Sequence, residues 1–238
     1  MTTINVNTIA PAGSTLTVGD SGDTIVAPEV KVNTIKDAGG NTLWVSNGSG
    51  VLSSVSGFGG ALNLLSTQTA SNSASVSFTS GIDSTYKEYI FKFYDIAVVT
   101  LEAHWTFQVN ASGQSGFDEV MTTTFFYAAE EEAGTADFFT YLASRDQAQG
   151  TGYQTITKSN QNSADSSSAG ELHLFNPSST TYVKNFYTRA HSMGASTVPY
   201  SEDTFVAGYI NTTAAIDEVS FKASSGNFSG KIKMYGVS

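Results

Sequence analysis

The sequence predicts an all-β protein in two parts: a small repeated β segment, then an antiparallel, jelly-roll-like β-sandwich. Three observations predict this. Charged residues are only 13% of the chain, against roughly 25% in an average soluble domain. Ser, Thr, Asn and Gly fill the gap, and they are poor helix formers. Hydrophobic residues at 40% and aromatics at 12% suffice for a core in 238 residues, and aromatic and β-branched side chains favour pleated sheet. Runs of apolar–polar alternation recur along the chain, which is the period of a half-buried strand.

A repeat organises the first part. Val6-Asn7-Thr8-Ile9 returns 26 residues later as Val32-Asn33-Thr34-Ile35. Each copy passes through a small-residue turn, Ala12-Gly13 or Ala38-Gly39-Gly40, to Thr15-Leu16 or Thr42-Leu43, and closes on Ser-Gly. Short strands are expected at Ile4–Val6, Thr15–Val18, Thr24–Val26, Val30–Val32, Leu43–Val45 and Val51–Val55. Trp44 is the sole aromatic before Phe58, so neither copy has a core of its own. Such strands need partners from other chains. Val6, Ile9, Val32, Ile35, Leu43 and Trp44 are therefore the candidate docking and oligomerisation residues.

One stretch spells something else. Gly19-Asp20-Ser21-Gly22-Asp23 matches the nucleophile loop of trypsin-like proteases. It aligns with Ser46-Asn47-Gly48-Ser49-Gly50 of the second copy, and both are turn chemistry. In the trypsin-like order His precedes Ser, whereas the first His here is His104. Residues 19–23 read as a turn.

The composition changes at a Gly linker, residues 58–60. All of the 15 Phe except Phe58, and all 11 Tyr, follow it. The chain thus divides into a docking or stem segment, 1–57, and a sandwich, 61–238. Alternation places ten strands in the sandwich: 74–79, 86–99, 104–111, 119–128, 152–157, 170–176, 182–191, 204–211, 216–223 and 227–237. Asn211–Ala215 and Ser224–Asn227 are the last turns. Ala136–Arg145 reads as a short helix, and Ser159–Ala169 as a long, polar, exposed loop.

Charge and composition exclude several functions. A net charge of −10 with no basic cluster argues against nucleic acid, whose phosphates need Lys and Arg. Without Cys, disulfides, thiolate metal sites and Cys nucleophiles are excluded. The start, MTTINVNTIAPAG, has neither the basic nor the apolar region of a signal peptide, and no apolar run reaches the ~20 residues of a membrane span.

The candidate sites are sparse. Glu130-Glu131-Glu132 with Asp137 could hold a cation, but consecutive strand residues point to opposite faces. His104, His173 and His191 are far apart in sequence, in separate strands. Asp118-Glu119 and Glu202-Asp203 raise a glycosidase reading, which needs two carboxyls flanking one bond. Tyr141, Tyr153 and Tyr200, placed on loops, are candidates for surface recognition by stacking on sugars. No phosphate loop, dinucleotide fingerprint or metalloprotease motif occurs, so no enzyme activity, cofactor or metal is expected.

"GDTIVAPEVKVNTIKDAGGNTLWVSNGSGVLSSV" (22–55) resembles the N-terminal segments of virion proteins from tailed bacteriophages. "LLSTQTASNSASVSFTSGIDSTYKEYIFKFYDI" (64–96) and "SGNFSGKIKMYGV" (225–237) are similar to the C-terminal β-sandwich of the same proteins. The resemblance implies a structural component of the particle, a fibre or head-decoration protein, and a homotrimer. It implies docking on capsid or tail proteins through residues 1–57, with the sandwich displayed outward on a particle assembled in the host cytoplasm. The alternatives are a tail-fibre knob that recognises host glycans and a polysaccharide hydrolase.

Overall fold

The computed structural model describes residues 34–37, 39–46, 52–55 and 61–238. The chain divides into two compact units, 1–58 and 59–238. Ser21 with its loop, and Val6, Ile9 and Val32, lie outside the described residues.

The first unit contains an antiparallel meander of β1 (Thr34–Lys36), β2 (Thr42–Ser46) and β3 (Leu52–Val55). The β1–β2 turn closes through its own side chains. Asp37 accepts hydrogen bonds from the Asn41 backbone N–H at 2.8 Å and the Asn41 amide at 3.0 Å, and Gly40 takes the positive φ, 83°, that the tight turn requires. The hydrogen bonds from Asn41 lower the Asp37 pKa.

In the second unit the chain runs through β4 (Leu62–Ser73), β5 (Val76–Phe78), β6 (Glu88–Val98), β7 (Trp105–Ala111), β8 (Met121–Glu131), β9 (Asp137–Tyr141) and β10 (Ala148–Gly150). It continues through β11 (Gln154–Thr155), β12 (Ser168–Phe175), β13 (Lys184–Gly194), β14 (Tyr200–Ile210), β15 (Ile216–Ala223) and β16 (Phe228–Val237). These strands make two antiparallel sheets. The large one has the order β10-β8-β14-β13-β12-β6-β16-β4, with β9 also on β8. The small one has the order β11-β7-β15-β5. The all-β sandwich expected from the sequence is the observed fold.

Alternation decides the core. In β13, KNFYTRAHSMG, every second residue from Lys184 to Ser192 is buried and the intervening ones are exposed. The inner faces meet through rings. Phe107 of the small sheet meets Phe186 of the large sheet edge-on at 5.0 Å, and Phe78 meets Phe91 at 5.2 Å. Trp105 meets Phe228 at 4.6 Å. Such pairs add about 0.5–1.5 kcal/mol each beyond their buried area.

Strand β7 departs from simple alternation, because all seven residues of WTFQVNA are buried. Its polar side chains face away from the large sheet and anchor loops. The Gln108 amide donates to the carbonyls of Glu119, Thr151 and Gly152, each at 3.0 Å. Asn110 donates to Glu218 at 3.0 Å. A residue patterned as if for solvent is instead a satisfied buried donor.

Three expectations are corrected. Residues 136–145 hold no α-helix: Asp137–Tyr141 is strand β9 on the edge of β8, followed by a 3-10 turn at Ala143–Arg145. The strand places Phe138 against Tyr200 at 5.5 Å and Phe139 against Phe126 at 5.5 Å, so both rings find partners that a free helix would lack. The segment 159–169 is not simply exposed, since Ser159, Asn160, Ser166 and Ser168 are buried. Asn160 ties it down by donating to the Ala103 carbonyl at 2.6 Å and to the Thr157 hydroxyl at 2.8 Å. The sandwich also contains β4, β9 and β10, which alternation did not indicate.

Candidate functional surface

The outer face of the large sheet carries the chemistry. Side chains alternate with the core residues, so Lys92, Glu171, His173, Tyr187, Arg189, His191, Asp203, Phe205 and Phe126 emerge on one surface. They form ladders across the strands. Phe139 packs on Phe126, Phe126 stacks on Phe205 with planes 7° apart, and the Arg189 guanidinium lies 5.0 Å from the Phe205 ring. Arg189 then forks onto Asp203 at 2.7 and 3.2 Å. On the next strands His173 stacks on Tyr187 at 4.4 Å, beside Phe175.

Ion pairs thread this face. Lys92 meets Glu171 at 3.3 Å, and the His173 ring touches Glu88 at 2.5 Å and Glu171 at 3.3 Å. Burial alone would raise the Glu171 pKa, but His173 and Lys92 outweigh it and hold the carboxyl below its ordinary value.

The surface has shallow grooves. One of about 370 Å³ is bordered by Lys92, Tyr94, Gly170, Glu171, Arg189 and His191. A second, about 240 Å³, lies between Tyr94, Asp95, Lys231 and Lys233. A third, about 380 Å³, has Glu130, Asp137 and Asp203 on its rim.

The three candidate tyrosines do not form one site. Tyr141 lies on β9, exposed, with its hydroxyl on Asp146; that hydrogen bond raises its pKa. Tyr200 begins β14, and its hydroxyl donates to Glu131 at 3.1 Å. Tyr153 stands beside the small sheet with the Lys222 ammonium 4.0 Å above its ring. Two of the three are therefore strand residues, not loop residues. Of the docking candidates, Ile35 lies directly across from Trp44 in the β1–β2 register. Ile35 and Leu43 are exposed and Trp44 is half-buried.

The pleat separates Glu202 from Asp203, whereas Asp118 and Glu119 lie before β8 and line one groove of about 320 Å³ with Gln114 and Thr212. Glu202 is 1% exposed inside the sandwich, whereas Asp203 is on the outer face with Arg189. They cannot flank one glycosidic bond. Glu202 meets Lys158 at 3.3 Å and accepts from the Ser159 N–H at 3.2 Å. Burial raises its pKa, and Lys158 and Ser159 oppose the rise. Glu119 accepts from the Ala111 N–H at 3.1 Å.

The histidines also remain apart. His191 contacts Ser201 at 2.9 Å. His104 is half-buried, and burial, then the Arg145 charge, lower its pKa to about 4. Among the described residues no group of three His, Asp or Glu could hold a metal ion, and no helix is long and apolar enough to cross a membrane.

Sequence reasoning missed Tyr94, Lys231 and Lys233. Alternation did place all three on strands that were anticipated, and their neighbours on the core side were legible. What was not legible was that β6 and β16 are adjacent. No family model matches this chain, and neither a curated protein nor a solved structure matches it.

Proposed function

We propose that this chain is a structural protein of a tailed-bacteriophage particle, a trimeric fibre or head-decoration protein. Residues 1–57 dock it on the capsid or tail, and the sandwich is displayed. The reading is supported by the resemblance of residues 22–55, 64–96 and 225–237 to such proteins. The single observation that carries it is the uneven build of the chain. A thin meander with its described apolar side chains exposed or half-buried precedes a 180-residue unit with a dense aromatic core. Apolar strands too thin to bury their own side chains are stabilised by neighbours.

The test is add-back. Particles assembled without this chain are incubated with the purified full chain and re-isolated on a density gradient. Co-sedimentation at a copy number divisible by three is the expected result. Protein that remains monomeric and stays at the top of the gradient overturns the reading.

A second reading, recognition of host-surface glycans by the sandwich, is favoured by the outer face of the large sheet. Its exposed rings and paired charges (Phe139 72% exposed, Tyr187 41%) are the residue types that bind polar ligands with apolar faces.

A further inference from the structure

We propose that a bulge in β6 at Tyr94 and Asp95 builds a binding site for an acidic saccharide. The proposal rests on the glycan-recognition reading and names its ligand class and its residues.

The bulge is visible from both neighbouring strands. Against β12, the partners Gly170↔Phe93 are followed by Ser168↔Ile96. Against β16, Lys231↔Tyr94 are followed by Ser229↔Ala97. One extra residue is therefore inserted in β6 in the middle of the sheet. Asp95 takes φ 52°, a left-handed conformation unusual for a residue with a Cβ. Gly230 faces it with φ 147°, and a Cβ there would lie 2.9 Å from the Asp95 carbonyl oxygen and 2.7 Å from the Ile96 side chain. The bulge is thus built from both strands. Bulges in a sheet re-aim side chains and concentrate at binding sites, as do residues held in rare backbone conformations.

The bulge makes Tyr94 a ridge. Its side chain is on the outer face, 38% exposed, and it borders both the 370 Å³ groove on the β12 side and the 240 Å³ groove on the β16 side. An aromatic ridge between two small grooves offers a π-face to the apolar face of a sugar ring, with polar groups on each side for its hydroxyls. Asp95 and His191 lie in those two grooves as hydrogen-bonding groups.

The charge selects the class of sugar. The chain carries 11 Lys and Arg against 21 Asp and Glu. Four of the basic side chains, Lys92, Arg189, Lys231 and Lys233, border this ridge. Lys92 and Arg189 are paired, with Glu171 and Asp203. Among the described residues Lys231 and Lys233 meet no carboxylate in an ion pair, and Lys233 lies over the Tyr94 ring at 5.8 Å. Their two ammonium groups outweigh the one carboxylate, Asp95, in the groove. On an otherwise acidic surface, this local positive site draws an anion. A carboxylate or sulfate on a sugar ring stacked over Tyr94 would reach them as charge-assisted hydrogen-bond donors. Burial, and then Tyr235, raise the Tyr94 hydroxyl above its ordinary pKa, so it adds no negative charge beside the two ammonium groups.

The test is calorimetric titration of the full chain with hexasaccharides of mannuronate, of a sulfated galactan and of neutral glucose. Binding of an anionic hexasaccharide, weakening as salt rises, is expected. Tyr94→Ala and the double variant Lys231→Ala/Lys233→Ala should each weaken it at least about tenfold. Tyr94→Phe keeps the ring and should bind nearly as wild type, and circular dichroism verifies that each variant is folded. Binding that these substitutions leave unchanged overturns the site. Equal binding of the neutral hexasaccharide overturns the ligand class but leaves glycan recognition standing. Binding of none of the three overturns the proposal together with the glycan reading. Add-back to particles is independent of all these outcomes.

Discussion

Trp105 lies flat on Phe221, with ring planes 9° apart and centroids 5.7 Å apart. Both belong to the small sheet, and both reach the large one, Trp105 at Phe228 and Phe93, Phe221 at Phe91. With Phe107 on Phe186 and Phe78 on Phe91, the two rings join the sheets. Trp105→Ala is expected to destabilise the sandwich by about 3–5 kcal/mol. The buried indole N–H has no hydrogen-bond partner among the described residues, so Trp105→Phe removes ring volume but none of their hydrogen bonds and should cost less. Urea denaturation of the three proteins checks the order.

His104 gives the sandwich an acid limit. Its folded pKa of about 4 is below the ordinary 6.5. Between these values the unfolded chain binds a proton that the folded chain does not, so stability falls as pH falls from 6.5 to 4. A gap of this size corresponds to roughly 3 kcal/mol at most, and solvent screening of the half-buried ring reduces what is expressed to about 1–2 kcal/mol. Glu202 has the opposite sign: its raised folded pKa makes stability fall as pH rises above 4.5. The difference between wild type and His104→Gln isolates the histidine. That difference should change by about 1–2 kcal/mol between pH 6.5 and 4, measured by chemical denaturation, and be constant above pH 7. A difference that does not vary with pH would show that His104 is not buried in the folded state.

Lys184 is fully buried and donates to the carbonyls of Thr212 at 3.1 Å and Ala214 at 2.5 Å. Burial lowers its pKa, yet the ammonium closes the turn before β15. Lys184→Met keeps the apolar stem out to Cε, removes the ammonium, and takes that donor from both carbonyls. A loss of roughly 1–3 kcal/mol is expected, with hydrogen exchange accelerated at residues 211–215. Unchanged exchange would mean that water replaces the ammonium.

Gly230→Ala tests the bulge. The new methyl would meet the Asp95 carbonyl and Ile96 in a backbone region that L-residues avoid. A loss of about 2 kcal/mol or more is expected, with shifts in the NMR signals of Tyr94 and Asp95. A variant as stable as wild type would show that the bulge is not held in place by the glycine.

Val32→Asp with Ile35→Asp tests the first unit. On the proposed reading, wild type is a trimer by light scattering and the double variant is not, with the sheet signal of the sandwich retained in circular dichroism. Loss of that signal as well would mean that residues 1–57 belong to the same core.

The sequence by itself determined which segments become strands wherever one face is buried and the other wet. In β8, β13 and β16 the period of two is imposed by the pleat, and Phe125, Phe186 and Ile232 read as core residues without any knowledge of neighbours. The tertiary structure decided what has no such local signature. Strand β4, LNLLSTQTASNS, is mostly polar and is a strand because β16 offers it an edge from Phe228 to Val237. Strand β9 has no alternation that separates it from a helix, and the free edge of β8 selects its form. Gln108 and Asn110 look like solvent-facing positions and are buried, because loops from distant parts of the chain cover them. The ridge at Tyr94 is the clearest case. Its lysines lie 137 and 139 residues away in sequence, and only the pairing of β6 with β16, and the one extra residue in β6, bring them to the same side of one ring. Pairing between distant strands depends on summed packing over whole sheets, which no local pattern records.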